Sequence, residues 1–165
     1  MESEPILISQ ELKEMHEADQ GDRKNWRTSE TNWEVVKLRD NARLKRVEKL
    51  YSQGLLKNAD DIYYAAMIYQ HGDKPEHYQK AMKLFRKAGE LGHPDGRTFS
   101  ALAEDRYLLE IGKAQIWGTQ FTRENSNEQW RLKEPFDRDV RTDEERKEMG
   151  LISVDQKLRD LNSKD

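Results

Sequence analysis

The chain has 165 residues, 35% hydrophobic and 37% charged, which suits one helical domain that keeps its apolar residues to one face of each element. Its 29 basic and 32 acidic residues are interspersed and leave a net charge of −3, which argues against a nucleic-acid binder held by phosphate neutralisation. Cysteine is absent, so disulfides, a thiol nucleophile and thiolate metal sites are excluded.

The start carries acidic Glu2 and Glu4 and only a short apolar run from Pro5 to Ile8, unlike a signal peptide. No stretch approaches the ~20 apolar residues of a membrane span. The expectation is a cytoplasmic, single domain over 1–165, with loose ends at 1–8 and 162–165. Ile8, Leu12 and Met15 predict a first helix over about 9–18. Thr31 and Glu34 form a capping-box pattern for a second helix, on which Val35, Leu38, Ala42, Val47, Leu50 and Tyr51 suit a buried stripe ending near Gly54. A third helix is expected over about 59–70. A fourth carries Tyr78, Ala81, Met82, Phe85 and Ala88, and a fifth runs from Pro94 to a stop at Gly112.

Residues 113–135 have no helical period, and 120–122 with 129–132 are expected to pair as a short hairpin. Thr142 with Glu145 and Ser153 with Gln156 mark two closing helices. The fold class is therefore all-α: a multi-helix domain with an irregular or short hairpin segment near 113–135.

Small Ala65 and Ala66, the turn Tyr69-Gln70-His71-Gly72, and Tyr78, Ala81, Phe85, Ala88 and Gly92-His93 follow one another over residues 64–96. This stretch resembles a single Sel-one-like (tetratricopeptide-type) antiparallel helix pair; one repeat is too few for a solenoid. A longer series, Asp40-Asn41, Arg43-Leu44, Gln70-His71, Asp105-Arg106, Gly112-Lys113, Gln115 and Gly118-Thr119-Gln120, is similar to an uncharacterised bacterial domain-of-unknown-function family. The chain departs from that pattern at Gly72, Glu104 and Trp117. The resemblance implies a shared architecture and no agreed reaction.

His71 closes the third helix, where an imidazole can exchange a proton near neutral pH or simply cap carbonyls. Asp105 and Arg106 are adjacent, so on a helix they diverge by about 100° and serve different partners. Asp105 could orient His71 while Arg106 holds a carbonyl or carboxylate, or Arg106 could clamp the irregular segment. Gln70, Lys113, Gln115, Thr119 and Gln120 are candidate ligand contacts, although irregular backbone needs such side chains for itself. His16, His71, His77 and His93 are too widely spaced to suggest a metal site, and no phosphate-binding or nucleophile-elbow motif is present. Trp26, Trp33, Trp117 and Trp130 either pin loops or form an aromatic partner surface.

These residues point to a protein or peptide interaction module using a helical groove and the 113–120 loop, with no cofactor, metal, nucleic acid or membrane. The alternative is a small enzyme in which His71, Asp105 and Arg106 act on a peptide or another carbonyl-containing substrate.

Overall fold

The computed structural model describes residues 4–26 and 30–163, and these are mostly helical with one small sheet. In chain order they form α1 (Glu4–Asp22), α2 (Trp33–Ser52), α3 (Ala59–Gln70), α4 (Pro75–Glu90) and α5 (Gly96–Glu110). β1 (Phe121–Thr122), β2 (Arg131–Leu132), α6 (Asp143–Glu148) and α7 (Val154–Asn162) follow. No helix among the described residues is long and apolar enough to cross a membrane.

The third helix is central. From Asp61 to Gln70 every residue except Tyr64 is buried, because α1, α2 and α4 all pack on α3. A helix covered on several sides must be apolar nearly all round, and Ala65 and Ala66 let its neighbours approach. By contrast α4 buries one stripe, Tyr78, Ala81, Leu84, Phe85 and Ala88, and leaves Lys83, Arg86 and Lys87 exposed. The α4 and α5 backbones come into direct contact. A Cβ on Gly96 would lie 2.6 Å from the Phe85 carbonyl oxygen and against the Gly89 backbone, so only glycine fits there. Tyr63 fills the adjoining space, stacked on His93 at 3.8 Å between ring centres and edge-on to Phe85 and Phe99.

Several expectations need correction. The segment 4–8 is the first turn of α1, with Ile8 buried in the core; 1–3 lie outside the described residues. At the other end, Asn162 accepts a hydrogen bond from the Trp130 backbone N–H and donates one to the Trp130 carbonyl, fixing α7 to the β2 region. That leaves 164–165 outside the described residues. The N-cap of α2 is Asn32, whose side chain accepts from the Val35 N–H, in place of the Thr31 box.

The buried face of α2 is also rotated from the expected stripe. Val36, Leu44, Val47 and Leu50 are inside, whereas Val35, Leu38 and Tyr51 are exposed. The reason is electrostatic: Asp40 and Arg43 occupy inward positions, half-buried in ion pairs with α1. The hairpin appears in the expected place, with Phe121 opposite Leu132 and Thr122 opposite Arg131. The Thr142–Glu145 capping box forms in full; at Ser153 the side chain caps the Gln156 N–H.

Candidate functional site

The expected site residues separate into two places. One is a hub built on Asp105, which is fully buried on α5. Its Oδ1 accepts from the backbone N–H groups of Ile116 (2.8 Å) and Trp117 (2.9 Å). Its Oδ2 accepts from the Thr119 N–H at 3.0 Å and the Thr119 hydroxyl at 2.8 Å. A loop leaving a helix end has N–H groups with no ladder partner, and one carboxylate satisfies three of them here. Burial pushes the Asp105 carboxyl above its ordinary value, and the hydrogen bonds it accepts work in the opposite direction.

Gln115 does the same for the other side of the loop. It is fully buried; its Oε1 accepts from the Thr119 and Gln120 N–H groups. Its Nε2 donates to the carbonyls of Gln120 and Lys133. Gln120 in turn donates to the Leu102 carbonyl and to Thr119 Oγ1. Gln115, the Thr119 hydroxyl and the Gln120 Nε2 are therefore engaged with the chain's own groups. Lys113 is exposed beside this loop. Asp105 does not orient His71; its oxygens face the loop.

The second place is a groove of about 610 Å³ between the ends of α1 and α3 and one face of α5. Met67 and His71 line it from α3, four residues apart on one face, and Phe99 and Arg106 line it from α5 with a seven-residue spacing. Gln20, Arg23 and Lys24 form the α1 side, and Trp26 and Trp33 the rim, at 44% and 48% exposure. Arg106 donates to the Gln70 carbonyl at 2.8 Å and lies over the Tyr78 ring at 4.6 Å. It is thus a clamp, but on the end of α3 and not on the irregular segment. Gln70 is buried beneath, its Oε1 without a hydrogen-bond partner.

The partner of His71 is Asp19, which sequence reasoning passed over. Asp19 is fully buried, and its Oδ1 lies 2.7 Å from His71 Nδ1 and 2.9 Å from Arg23 Nη1. Gln20 Nε2 donates to the other oxygen at 2.8 Å. From there the charges alternate across the α1–α2 interface. Arg23 grips Asp40 with two nitrogens, Arg43 bridges Asp40 and Asp22, and Arg39 closes on Asp22. The signal was present in the sequence as Asp19, Asp22 and Arg23 on one helix and Arg39, Asp40 and Arg43 on the next, spaced three or four apart with opposite signs.

Burial holds the His71 imidazole below its ordinary value, aided by Arg23 and Arg106 and opposed by Asp19. The neutral ring donates Nδ1–H to Asp19, which leaves Nε2 as an acceptor. His16 is lowered in the same way, by burial first and with His71 contributing. Because folding favours the neutral rings, the unfolded chain binds more protons once the pH drops below the ordinary value of 6.5. Stability is therefore intact above that value and declines as pH falls through it. Asp22 and Asp40 are held below 3.8 by their arginines against the burial penalty, so their contribution is lost only at lower pH, as it falls through their depressed values. Urea midpoints measured across this range should fall in two stages, and His71→Gln should reduce the first.

Among the described residues no group of three or more His, Asp or Glu side chains is placed to hold a metal ion. Comparison of the chain with family models, curated proteins and solved structures gives no match.

Proposed function

We propose that the chain is a protein-interaction module that takes an acidic, partly apolar peptide segment into the groove between α1, α3 and α5. The observation that carries this reading is the groove's lining. Lys24 and Arg106 line it together with Trp26 and Trp33, Arg23 beside them is already paired with Asp19 and Asp40, and among the described residues no carboxylate lines it, in a chain whose net charge is −3. A local concentration of cations in an acidic protein selects anionic partners, and exposed tryptophans supply anchoring area at low entropic cost. The 113–120 loop has no part in it.

A second reading rests on the 2.7 Å contact between His71 and Asp19. A histidine whose Nδ1–H is held by a buried carboxylate is oriented as a general base, with Nε2 as the accepting atom. Among the described residues no Ser, Thr or Tyr lines the groove, so this dyad would act on water or on a substrate proton.

The test is a fluorescence titration with a labelled peptide in which Asp and Glu alternate with Leu and Phe. Lys24→Glu and Trp33→Ala should each weaken binding by about tenfold, from a reversed charge and a lost aromatic anchor. Both side chains are on the rim, so melting temperatures should hardly move. Unchanged affinity in both folded variants would remove the groove as the binding site. Turnover that disappears in His71→Gln while peptide affinity persists would favour the second reading.

A further inference from the structure

A smaller cavity, which shares no lining residue with the His71 groove, lies beside α5 between the 118–121 turn and the link from α6 to α7. Its volume is about 200 Å³, and its apolar wall is made by Leu102, Phe121, Leu151 and Ile152. Two cations line it, Arg146 and Lys157, and among the described residues no acidic side chain does. Arg146 is the unusual member: it is only 6% exposed, yet just one of its terminal nitrogens has a partner. Nη2 donates to the Ile152 carbonyl at 2.9 Å, while Nη1 is sealed from solvent with no acceptor among the described residues.

A buried guanidinium with vacant N–H groups is costly unless something accepts from it. Within the chain the charges of Asp105 and, less, of Asp143 support that of Arg146 through space. Both Asp105 oxygens are already occupied by Ile116, Trp117 and Thr119. The wall is also kept open at the guanidinium. Gly118 has φ +69°, and a Cβ there would lie 3.0 Å from Arg146 Nη1 and 2.8 Å from Val154 Cγ2.

We infer that this cavity is a binding site for a carboxylate at the end of a short apolar chain, with the Lys157 ammonium and the Arg146 guanidinium that line it receiving the carboxylate. The size agrees: at about 30 Å³ per water-sized group, 200 Å³ holds roughly seven such groups. A single cationic end and an apolar wall fit one carboxylate with an aliphatic tail better than a phosphate, which would need more donors. Two sources share this chemistry, a free short-chain acid and the C-terminus of a peptide ending in a small apolar residue. The site is independent of the groove and of the function proposed for it.

The experiment uses the full chain with methyl-labelled Leu, Ile and Val, titrated with hexanoate and, separately, with hexanamide. Hexanoate should shift the methyl resonances of Leu102, Leu151 and Ile152 and bind at least about tenfold more tightly than the amide, the worth of one charge-assisted pair. Lys157→Gln, an exposed change that leaves the fold alone, should weaken hexanoate severalfold, and Arg146→Met should abolish the preference for the acid. A short peptide ending in a free Val carboxylate, compared with its amide, assigns the source. If the peptide acid competes with hexanoate the ligand is a chain terminus, and if it does not the ligand is a free acid. Equal binding of hexanoate and hexanamide, or no shift of these methyls at millimolar hexanoate, overturns the proposal; both readouts are made on the unmodified protein.

Discussion

Replacing Asp105 with alanine should cost about 3–5 kcal/mol, because a fully buried charged acceptor disappears and four donors lose it together. For a domain of this size that is roughly 10 °C or more in melting temperature. Water cannot easily replace the carboxylate, since the loop from Gln115 to Gln120 is closed over it by Gln115 and Trp117, both buried. Asp105→Asn is the informative companion. Its oxygen can keep the Ile116 and Trp117 N–H groups, but its amide then meets the Thr119 N–H, donor against donor. The asparagine variant should fall between wild type and alanine. Thermal unfolding followed by circular dichroism measures all three. A loss of groove binding with unchanged melting temperature would instead make Asp105 a site residue.

The second large effect is expected at Arg23. It holds Asp19 at 2.9 Å and Asp40 at 2.6 Å, with side-chain exposures of 18%, 0% and 12% respectively. Arg23→Ala leaves a buried carboxylate short of its cation and removes the bridge between α1 and α2, for a cost of about 3–5 kcal/mol. Arg23→Lys should recover only part of this, because an ammonium cannot match the two-nitrogen grip on Asp40. A second readout separates this from simple loss of packing. Arg23 helps to hold the His71 imidazole down, so in the alanine variant His71 should titrate at a higher pH, measured by imidazole NMR. An unfolding loss with no change at His71 would mean that the network does not reach the groove.

Most of the helical frame was legible in the sequence. Residues 59–70 stood out because their apolar content is bounded by turn residues, and Asn58 caps the helix as such residues do. The hairpin, the Thr142 box and the Gly112 stop were equally local signals, and local signals survive folding. The face of α2 was misread for the opposite reason. A hydrophobic pattern cannot show that Asp40 and Arg43 point inward, because their burial depends on the charges of a neighbouring helix.

The site was half legible for the same reason. Adjacency on α5 correctly sent Asp105 and Arg106 to different partners, but Asp105 does not orient His71, and the carbonyl that Arg106 holds is not in the irregular segment. The aspartate ties down the loop, and the arginine clamps the carbonyl of Gln70 at the end of α3. Nothing in the local sequence sets Asp19 apart from Glu11, Glu14, Glu17 and Asp22 on the same helix. Only the docking of α1 against α3 reveals it as the group beneath His71. The amides of Gln115 and Gln120 resembled ligand contacts because a loop that satisfies itself and a loop that grips a ligand use the same chemistry.

The central claim, that the cationic aromatic groove and not the 113–120 loop receives a partner, is tested most directly by mapping amide and indole NMR shifts during titration with the acidic peptide. The account expects changes concentrated at Gln20, Lys24, Trp33, His71 and Arg106, which line the groove or its rim. It expects the Gln115, Thr119 and Gln120 amides, already engaged with Asp105, Gln115 and Pro135, to stay still. Shifts centred on 113–120 with a silent groove would contradict it.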